Sequence, residues 1–148
     1  MNINKKKQLI KEAIKASENS YSPYSNFRVG AAILCADQKI FTGCNVENAS
    51  YGATICAERA AAIKAVSEGA KRFIAIAVYG YPAGSKDNKN AKEDQEFNYA
   101  FPCGICRQVL NEFADPDMIV LIVRSENNYL ERTLAELLPD SFGSANLE

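Results

Sequence analysis

Three cysteines in two groups carry side chains that could bind a metal ion or do redox chemistry. Cys56 stands alone, whereas Cys103 and Cys106 form a Cys-x-x-Cys pair. Each group falls where a helix is predicted to begin, and the partial positive charge of a helix N-terminus favours the thiolate form. Three thiolates brought together by folding would hold Zn²⁺ and leave its fourth tetrahedral position open, as in catalytic zinc sites. Water at that position would have its pKa lowered and become a nucleophile.

Two residues beside Cys56 fit the same chemistry. Glu58 follows Cys56 by two residues, at the start of the same predicted helix, where its carboxylate can reach the water without binding the metal. Glu58 is therefore a candidate proton shuttle. Zn²⁺ with three thiolates has a net charge of −1, and the Arg59 guanidinium could withdraw charge by donating to the sulfurs. From position alone, Arg59 is equally consistent with a surface cation on the helix.

Other interpretations of the cysteines remain open at this level. Cys35 or Cys44 could supply a fourth thiolate, which would make the zinc purely structural. Cys35 lies within an apolar run, where a buried and inert thiol is common. The Cys-x-x-Cys pair alone is also typical of redox proteins.

Composition narrows the classes of function. The chain of 148 residues has the size of one domain and contains no histidine, which removes Ser-His-Asp and Cys-His catalysis and every imidazole metal ligand. The 17 basic and 18 acidic residues give a net charge of −1, without the basic excess typical of nucleic-acid binders. We expect a small-molecule partner, no membrane span and no nucleic-acid partner. Lys5–Lys7 is not followed by an apolar run, so we predict a cytoplasmic location with reduced thiols.

The elements that must position these residues alternate between helix and strand. Helices are predicted over 4–19, 56–68, 104–113 and 133–138, and strands over 27–36, 40–45, 73–79 and 118–124, with a weaker strand near Tyr129. The first two strands should form an antiparallel hairpin, and later strands joined through helices should be parallel. We therefore expect an α/β fold with a mixed sheet between layers of helices.

One segment does not fit this pattern. Residues 80–101 are rich in Lys, Asp and Asn and have no periodic apolar face. An irregular segment of that length is uncommon inside a compact domain. We interpret residues 1–148 as a single domain with a surface insertion at 80–101.

The motifs together resemble the zinc-dependent cytidine deaminases. The resemblance rests on CAER at 56–59, PCGICRQVL at 102–110, YSPYSNFRVGAA at 21–32, GCNVENASYG at 43–52 and LPDSFG at 138–143. These motifs occur in the family's order, and the resemblance extends over most of the chain. Two features depart from the family pattern: residues 80–101 are longer and more charged than the usual link, and Ala100-Phe101 stands where a small polar residue commonly precedes Pro-Cys.

The resemblance implies a fold, a reaction and a set of roles. The fold would be a three-layer α/β/α sandwich around a mixed five-stranded sheet. The reaction would be hydrolysis of the cyclic amidine C–N bond of cytidine and deoxycytidine, giving uridine, deoxyuridine and ammonia in pyrimidine salvage. One Zn²⁺ per chain would be held by Cys56, Cys103 and Cys106, with Glu58 as the catalytic proton shuttle and Arg59 beside the sulfurs.

Substrate contacts carry over to individual residues. Asn45 and Glu47 match a pair that hydrogen-bonds the ribose 3′-hydroxyl, and a carboxylate there would disfavour a phosphate. Phe27 matches an aromatic residue packed against the nucleoside, and the backbone N–H of Ala57 would bind the base carbonyl. The all-cysteine ligand set resembles the small homotetrameric subclass, in which the equivalents of Tyr51 and Phe142 enter a neighbour's pocket.

Two other functions remain in competition. A related aminohydrolase acting on a cytosine-containing antibiotic would share the zinc motifs but should lack the segment with Asn45 and Glu47. A non-catalytic, zinc-stabilised binding domain would close the metal with a fourth cysteine and would not depend on Glu58.

Overall fold

A computed structural model describes residues 1–84 and 99–148 of the chain. Nine helices and strands are found among these residues, together with short 3₁₀ helices at Tyr51–Ala53 and Ser144–Leu147. In chain order the main elements are α1 (Ile3–Ser17), β1 (Phe27–Cys35), β2 (Ile40–Cys44), α2 (Ala57–Ser67), β3 (Phe73–Pro82), α3 (Gly104–Phe113), β4 (Ala114–Ser125), β5 (Asn128–Thr133) and α4 (Leu134–Leu137).

The five strands form one mixed sheet, as expected, in the order β2-β1-β3-β4-β5. The β1–β2 hairpin is antiparallel, β3 pairs antiparallel with β1, and β3 and β4 are parallel. β5 returns antiparallel to β4 through a short turn. The hairpin and the parallel pair are therefore those that the sequence predicts.

The sheet separates two apolar layers because successive strand residues point to opposite faces. On β1, Ala32 and Leu34 pack with Leu9 and Ile10 of α1. Ala31 and Ile33 pack on the other face, where the buried alanines of α2 and Leu110 of α3 complete the core. This arrangement is the three-layer α/β/α sandwich implied by the resemblance.

The boundaries of the central strands differ from the predicted ones. β3 continues to Pro82, three residues into the predicted insertion, because Gly80–Pro82 pair with Phe27–Val29 of β1. β4 begins at Ala114, directly after α3, rather than at residue 118. The rest of the predicted insertion falls largely on residues 85–98, which lie outside the described residues.

No helix in the described ranges is both long enough and apolar enough to span a bilayer.

Candidate active site

The N-termini of α2 and α3 meet at one edge of the sheet. α2 leads into β3 and α3 leads into β4, and these two strands are parallel and adjacent. Both helices therefore run back along the sheet, and their N-termini lie at its carboxyl edge. Cys56 is the N-cap residue of α2 and Cys103 that of α3, so the topology brings the two cysteine groups together.

The three sulfurs form a cluster that fits a zinc ion. Cys56 Sγ lies 4.0 Å from Cys103 Sγ, which lies 3.5 Å from Cys106 Sγ, and all three sulfurs are within 4.8 Å of one another. Tetrahedral coordination at a Zn–S distance of about 2.3 Å places neighbouring sulfurs about 3.8 Å apart. The donor set and its spacing are therefore those of a three-thiolate zinc site.

The other two cysteines lie elsewhere. In the ranges that the structure describes, neither Cys35 nor Cys44 joins the sulfur cluster. Cys35 is buried in the core at the far end of β1, and burial raises the pKa of its thiol to about 11. Three cysteine sulfurs therefore meet at this point, as the catalytic interpretation requires, and not four.

Hydrogen bonds within the cluster shift the pKa values of its thiols in opposite directions. The pKa of Cys56 is lowered to about 5, first by a hydrogen bond from the Cys106 thiol and then by the Arg59 guanidinium. The pKa of Cys106 is raised, because its proton is held in that hydrogen bond and the side chain is buried. Arg59 Nη2 donates to Cys56 Sγ at 3.5 Å and to the Thr54 carbonyl at 3.3 Å. The guanidinium thus withdraws charge from one sulfur while it anchors the chain that precedes α2.

Glu58 is buried in the first turn of α2, next to the sulfurs. Its side chain is only 4% exposed. Burial is the main cause that raises the pKa of its carboxyl to about 7, and the nearby Cys56 thiolate adds to the shift. A carboxyl group with a pKa near neutrality can both accept and donate a proton, which is what a proton shuttle must do.

The sulfurs and Glu58 open into a cleft of about 510 Å³. The walls come from the start of β1, the middle of β3, the segment after β2, the start of α2 and the residues before α3. Its lining residues are Phe27, Val29, Asn45, Glu47, Thr54, Cys56, Ala57, Glu58, Val78, Tyr99, Ala100, Phe101 and Cys103. The structure therefore brings nine of the eleven residues expected in or beside the site to this cleft or its sulfur cluster. Seven of them line the cleft, and Cys106 and Arg59 contact a lining sulfur.

The side chains of Asn45 and Glu47 both make hydrogen bonds to neighbouring residues of the chain. Asn45 Oδ1 accepts from the Val29 N–H at 2.9 Å and from the Ser20 hydroxyl, while Nδ2 donates to the Phe27 carbonyl at 2.8 Å. Asn45 thus joins β1 to the segment after β2, and one amide hydrogen remains for a ligand. The Glu47 carboxylate accepts from Tyr24 and Ser25 N–H groups and from the Ser25 hydroxyl, whose hydrogen bond lowers its pKa.

Of the other residues expected to contact the substrate, Phe27 and Ala57 lie at the main cleft, whereas Tyr51 and Phe142 do not. Phe27 lines the cleft and is partly exposed, and the Ala57 amide lies in the first turn of α2, where helix N–H groups have no internal partner. Tyr51 lines a smaller adjoining cleft with Tyr24, whose ring it meets edge-on at 5.6 Å. Neither Tyr51 nor Phe142 lines the main cleft of its own chain, and they are 74% and 59% exposed.

Several residues that sequence reasoning left without a role also shape the cleft. Tyr99, Ala100 and Phe101 form part of its lining, and Arg107 fixes the approach to Cys103 by donating to the Pro102 and Leu137 carbonyls, both at 2.7 Å. The sequence signals for these roles were the aromatic residues Tyr99 and Phe101 shortly before Pro102-Cys103, and Arg107 directly after Cys106.

Comparison with known proteins agrees with this geometry. Residues 3–122 match the family model described as the cytidine and deoxycytidylate deaminase zinc-binding region. The chain is 43% identical to a cytidine deaminase of Halalkalibacterium halodurans over 142 residues, covering 96% of this chain and 97% of that protein. It is 42% identical to one of Sporosarcina psychrophila, covering 95% and 93% of the two chains. Among solved structures, the cytidine deaminase of Burkholderia pseudomallei superimposes with a TM-score of 0.77 at 40% identity, covering 96% of this chain and all of that one. The chain belongs to the zinc-binding cytidine and deoxycytidylate deaminase family.

Proposed function

We propose that this protein is a zinc-dependent cytidine deaminase, which hydrolyses cytidine and deoxycytidine to uridine and deoxyuridine with release of ammonia. The observation that carries the proposal is the convergence of three sulfurs and a buried glutamate on one cleft. The relatives named as cytidine deaminases match nearly the whole chain, which supports the same reaction here.

The proposed ligand set is Cys56, Cys103 and Cys106. A zinc ion bound there would supply Lewis acidity, which lowers the pKa of a water molecule at the open coordination position. Arg59 contacts Cys56 Sγ and offsets part of the negative charge of the three thiolates.

Glu58 moves the protons of the reaction. Its carboxylate takes a proton from the attacking water and delivers it to N3 of the base. It then takes the remaining proton from the hydroxyl that is now bonded to C4 and passes it to the exocyclic nitrogen. The C4 carbonyl forms as the C4–N bond breaks and ammonia leaves. Burial keeps the carboxyl away from bulk water, so the proton passes between substrate and side chain.

The remaining residues hold the nucleoside. The Ala57 N–H at the start of α2 binds the carbonyl oxygen of the base, and Phe27 packs against the nucleoside. Glu47 and Asn45 receive the ribose 3′-hydroxyl at the other end. The hydrogen bonds that lower the pKa of Glu47 keep it ionised, and its charge disfavours a phosphate on the sugar. The proposed substrate is therefore a nucleoside and not a nucleotide.

The proposal extends to assembly and location. Residues 1–148 form one domain that associates into a homotetramer, in which Tyr51 and Phe142 complete the clefts of neighbouring subunits. The high exposure of both aromatic rings in the single chain supports this arrangement, since neither contributes to its own main cleft. Cytoplasmic pyrimidine salvage is the proposed setting.

The test is the ultraviolet absorbance change of cytidine incubated with the purified protein, together with the zinc content per chain. We expect loss of cytidine, formation of uridine and about one zinc per chain. One zinc per chain without turnover would favour a binding domain, and turnover of a cytosine-containing antibiotic with no action on cytidine would favour the related aminohydrolase. Either result would contradict the proposal.

A further inference from the structure

Residues 99–101 form a wall of the cleft to which no role has been given. Tyr99, Ala100 and Phe101 all line the cleft, and they lead through Pro102 into Cys103. This wall therefore stands on the Cys103 side of the sulfur cluster, whereas Ala57 and Glu58 stand on the α2 side.

The wall is held firmly to the sheet. The Tyr99 hydroxyl donates to Asn128 Oδ1 of β5 at 3.0 Å, and the Arg124 guanidinium lies 5.9 Å from the centroid of the Tyr99 ring. Ala100 packs directly on Gly80 of β3, where an added Cβ would lie 2.7 Å from the Ala100 Cβ. These contacts tie the wall to three strands, so it cannot move aside without breaking them.

Phe101 lines the same cleft as Cys103, which follows it by two residues. It is 38% exposed, and its ring centroid lies 6.4 Å from that of Tyr99. Its N–H donates to the Tyr99 carbonyl at 3.1 Å, which fixes the backbone from which the ring projects. A large apolar side chain thus stands in the cleft beside the expected metal ligand Cys103.

The orientation of the base, which rests on the proposed function, decides what Phe101 meets. The base carbonyl at Ala57 and N3 at Glu58 both face α2, and C4 faces the sulfurs. The next ring atom, C5, then points past the sulfurs towards Cys103 and the wall.

We propose that Phe101 is a specificity-determining residue that contacts the C5 edge of the pyrimidine and selects against cytidines substituted at C5. Hydrogen at C5 leaves room for van der Waals contact with the ring. A methyl group there would have to displace Phe101 or shift the base away from Glu58. A single methylene changes discrimination by about 10- to 200-fold in an apolar pocket.

The experiment compares cytidine with 5-methylcytidine as substrates of the zinc-loaded wild-type protein and of Phe101→Ala. We expect the ratio of kcat/KM for cytidine to that for 5-methylcytidine to fall by at least about tenfold in Phe101→Ala. Ile105→Ala is the matched control, because Ile105 is an exposed apolar residue near Cys103 that does not line the cleft. Its ratio should equal that of the wild type.

A second measurement does not depend on turnover. Calorimetric binding of the products uridine and 5-methyluridine should show the same change of preference in Phe101→Ala. Cytidine turnover with an unchanged ratio in Phe101→Ala would overturn this inference and leave the proposed function intact. If the wild type does not deaminate cytidine, the proposed function fails. Product binding then tests Phe101 separately: an equal preference for uridine over 5-methyluridine in the wild type and in Phe101→Ala would overturn its role.

Discussion

Glu58 shows how burial and position combine in one side chain. Its place two residues after the N-cap of α2 puts it beside Cys56 Sγ, and its burial raises the pKa of its carboxyl to about 7. The same carboxyl serves every proton transfer of the proposed reaction. Loss of its acid–base function should therefore affect turnover far more than binding.

Glu58→Gln should keep zinc and fold but lose most turnover. The amide has nearly the size of the carboxyl group but cannot take up the proton, so kcat should fall by about 10²- to 10⁴-fold or more. The measurements are steady-state cytidine deamination and zinc content per chain. Glu112→Gln is the control, because Glu112 is exposed on α3 and does not line the cleft. Activity in Glu58→Gln equal to that of the control would contradict the role of Glu58.

Asn45 has a structural role that its motif does not reveal. Its amide joins Val29, Phe27 and Ser20, and replacement by alanine would leave buried polar groups without partners. Each such group costs about 1–3 kcal/mol, so Asn45→Ala should lower the free energy of unfolding by about 2–4 kcal/mol. Denaturant unfolding measures this. Asn48→Ala, which removes an exposed hydrogen bond to the Ser50 N–H, should cost far less. Equal losses in the two variants would show that Asn45 does not hold this edge of the cleft.

The sequence predicts the chemistry of the site better than its shape. Cys56, Glu58 and the Cys103 pair are recognisable because a metal centre requires particular side chains at short, fixed spacing. Tyr99 is held at the cleft by its contact with Asn128, and Ala100, the neighbour of Phe101, by its contact with Gly80. Both partners are distant in sequence. Since any aromatic residue can serve either core or cleft, residue type alone could not place them.

At the scale of elements, the position of α2 depends on a close approach to β2. A Cβ built on Gly43 would lie 2.5 Å from the Ala61 amide nitrogen and 2.6 Å from the Ala57 carbonyl oxygen. Both are backbone atoms, which cannot rotate away as a side chain can. Gly43 therefore lets α2 lie directly on the strand, and this sets where its N-terminus presents Cys56 and Glu58.

Gly43→Ala should force α2 away from β2. Overpacking of this kind typically costs about 1–3 kcal/mol, and the clash with backbone predicts a loss of about 3 kcal/mol in the free energy of unfolding. Because α2 carries Cys56, zinc affinity should fall as well. Thermal unfolding and zinc titration measure the two effects. Gly52→Ala, at a position with open space around it, should change neither. Unchanged stability in Gly43→Ala would show that α2 does not depend on this contact.

The elements themselves were largely predictable, and their ends were not. Apolar runs identify β3 and β4 because both faces of a central strand are buried. The extension of β3 to Pro82 depends on pairing with the start of β1, which no local pattern encodes. Ala114–Asp117 lack an apolar run, so the start of β4 is likewise set by its neighbours and not by its own residues.

At the scale of the whole molecule, a single chain holds a cleft and two aromatic rings that lie outside it. The Phe142 carbonyl accepts hydrogen bonds from Gln108 Nε2 at 2.9 Å and Asn111 Nδ2 at 3.2 Å, so the tail is fixed on α3. Its ring is nevertheless 59% exposed. An anchored backbone with an exposed aromatic side chain is what we expect of a residue that contacts the cleft of a neighbouring subunit.

Mixing two defective variants tests whether Phe142 acts between subunits. Phe142→Ala alone should raise KM for cytidine, because an aromatic contact with a base is worth about 1–3 kcal/mol. Glu58→Gln alone should be nearly inactive. The two proteins are unfolded together and refolded, so that mixed assemblies form. In these, a subunit with Phe142→Ala retains its own Glu58 and would receive Phe142 from a Glu58→Gln neighbour. Activity with a low KM should therefore return.

The stoichiometry of that recovery separates action between subunits from action within one. If Phe142 served its own cleft, every subunit with an intact Glu58 would lack the ring, and the mixture would keep the high KM at any ratio. If Phe142 instead enters the cleft of a neighbouring subunit, the low-KM fraction of the activity should rise with the share of Glu58→Gln chains. Each active cleft then more often has a neighbour that still carries Phe142. Sedimentation velocity on the same mixtures supplies the control, since recovery requires that the chains associate. A mixture that associates and yet shows no low-KM component at any ratio would contradict the proposed shared cleft.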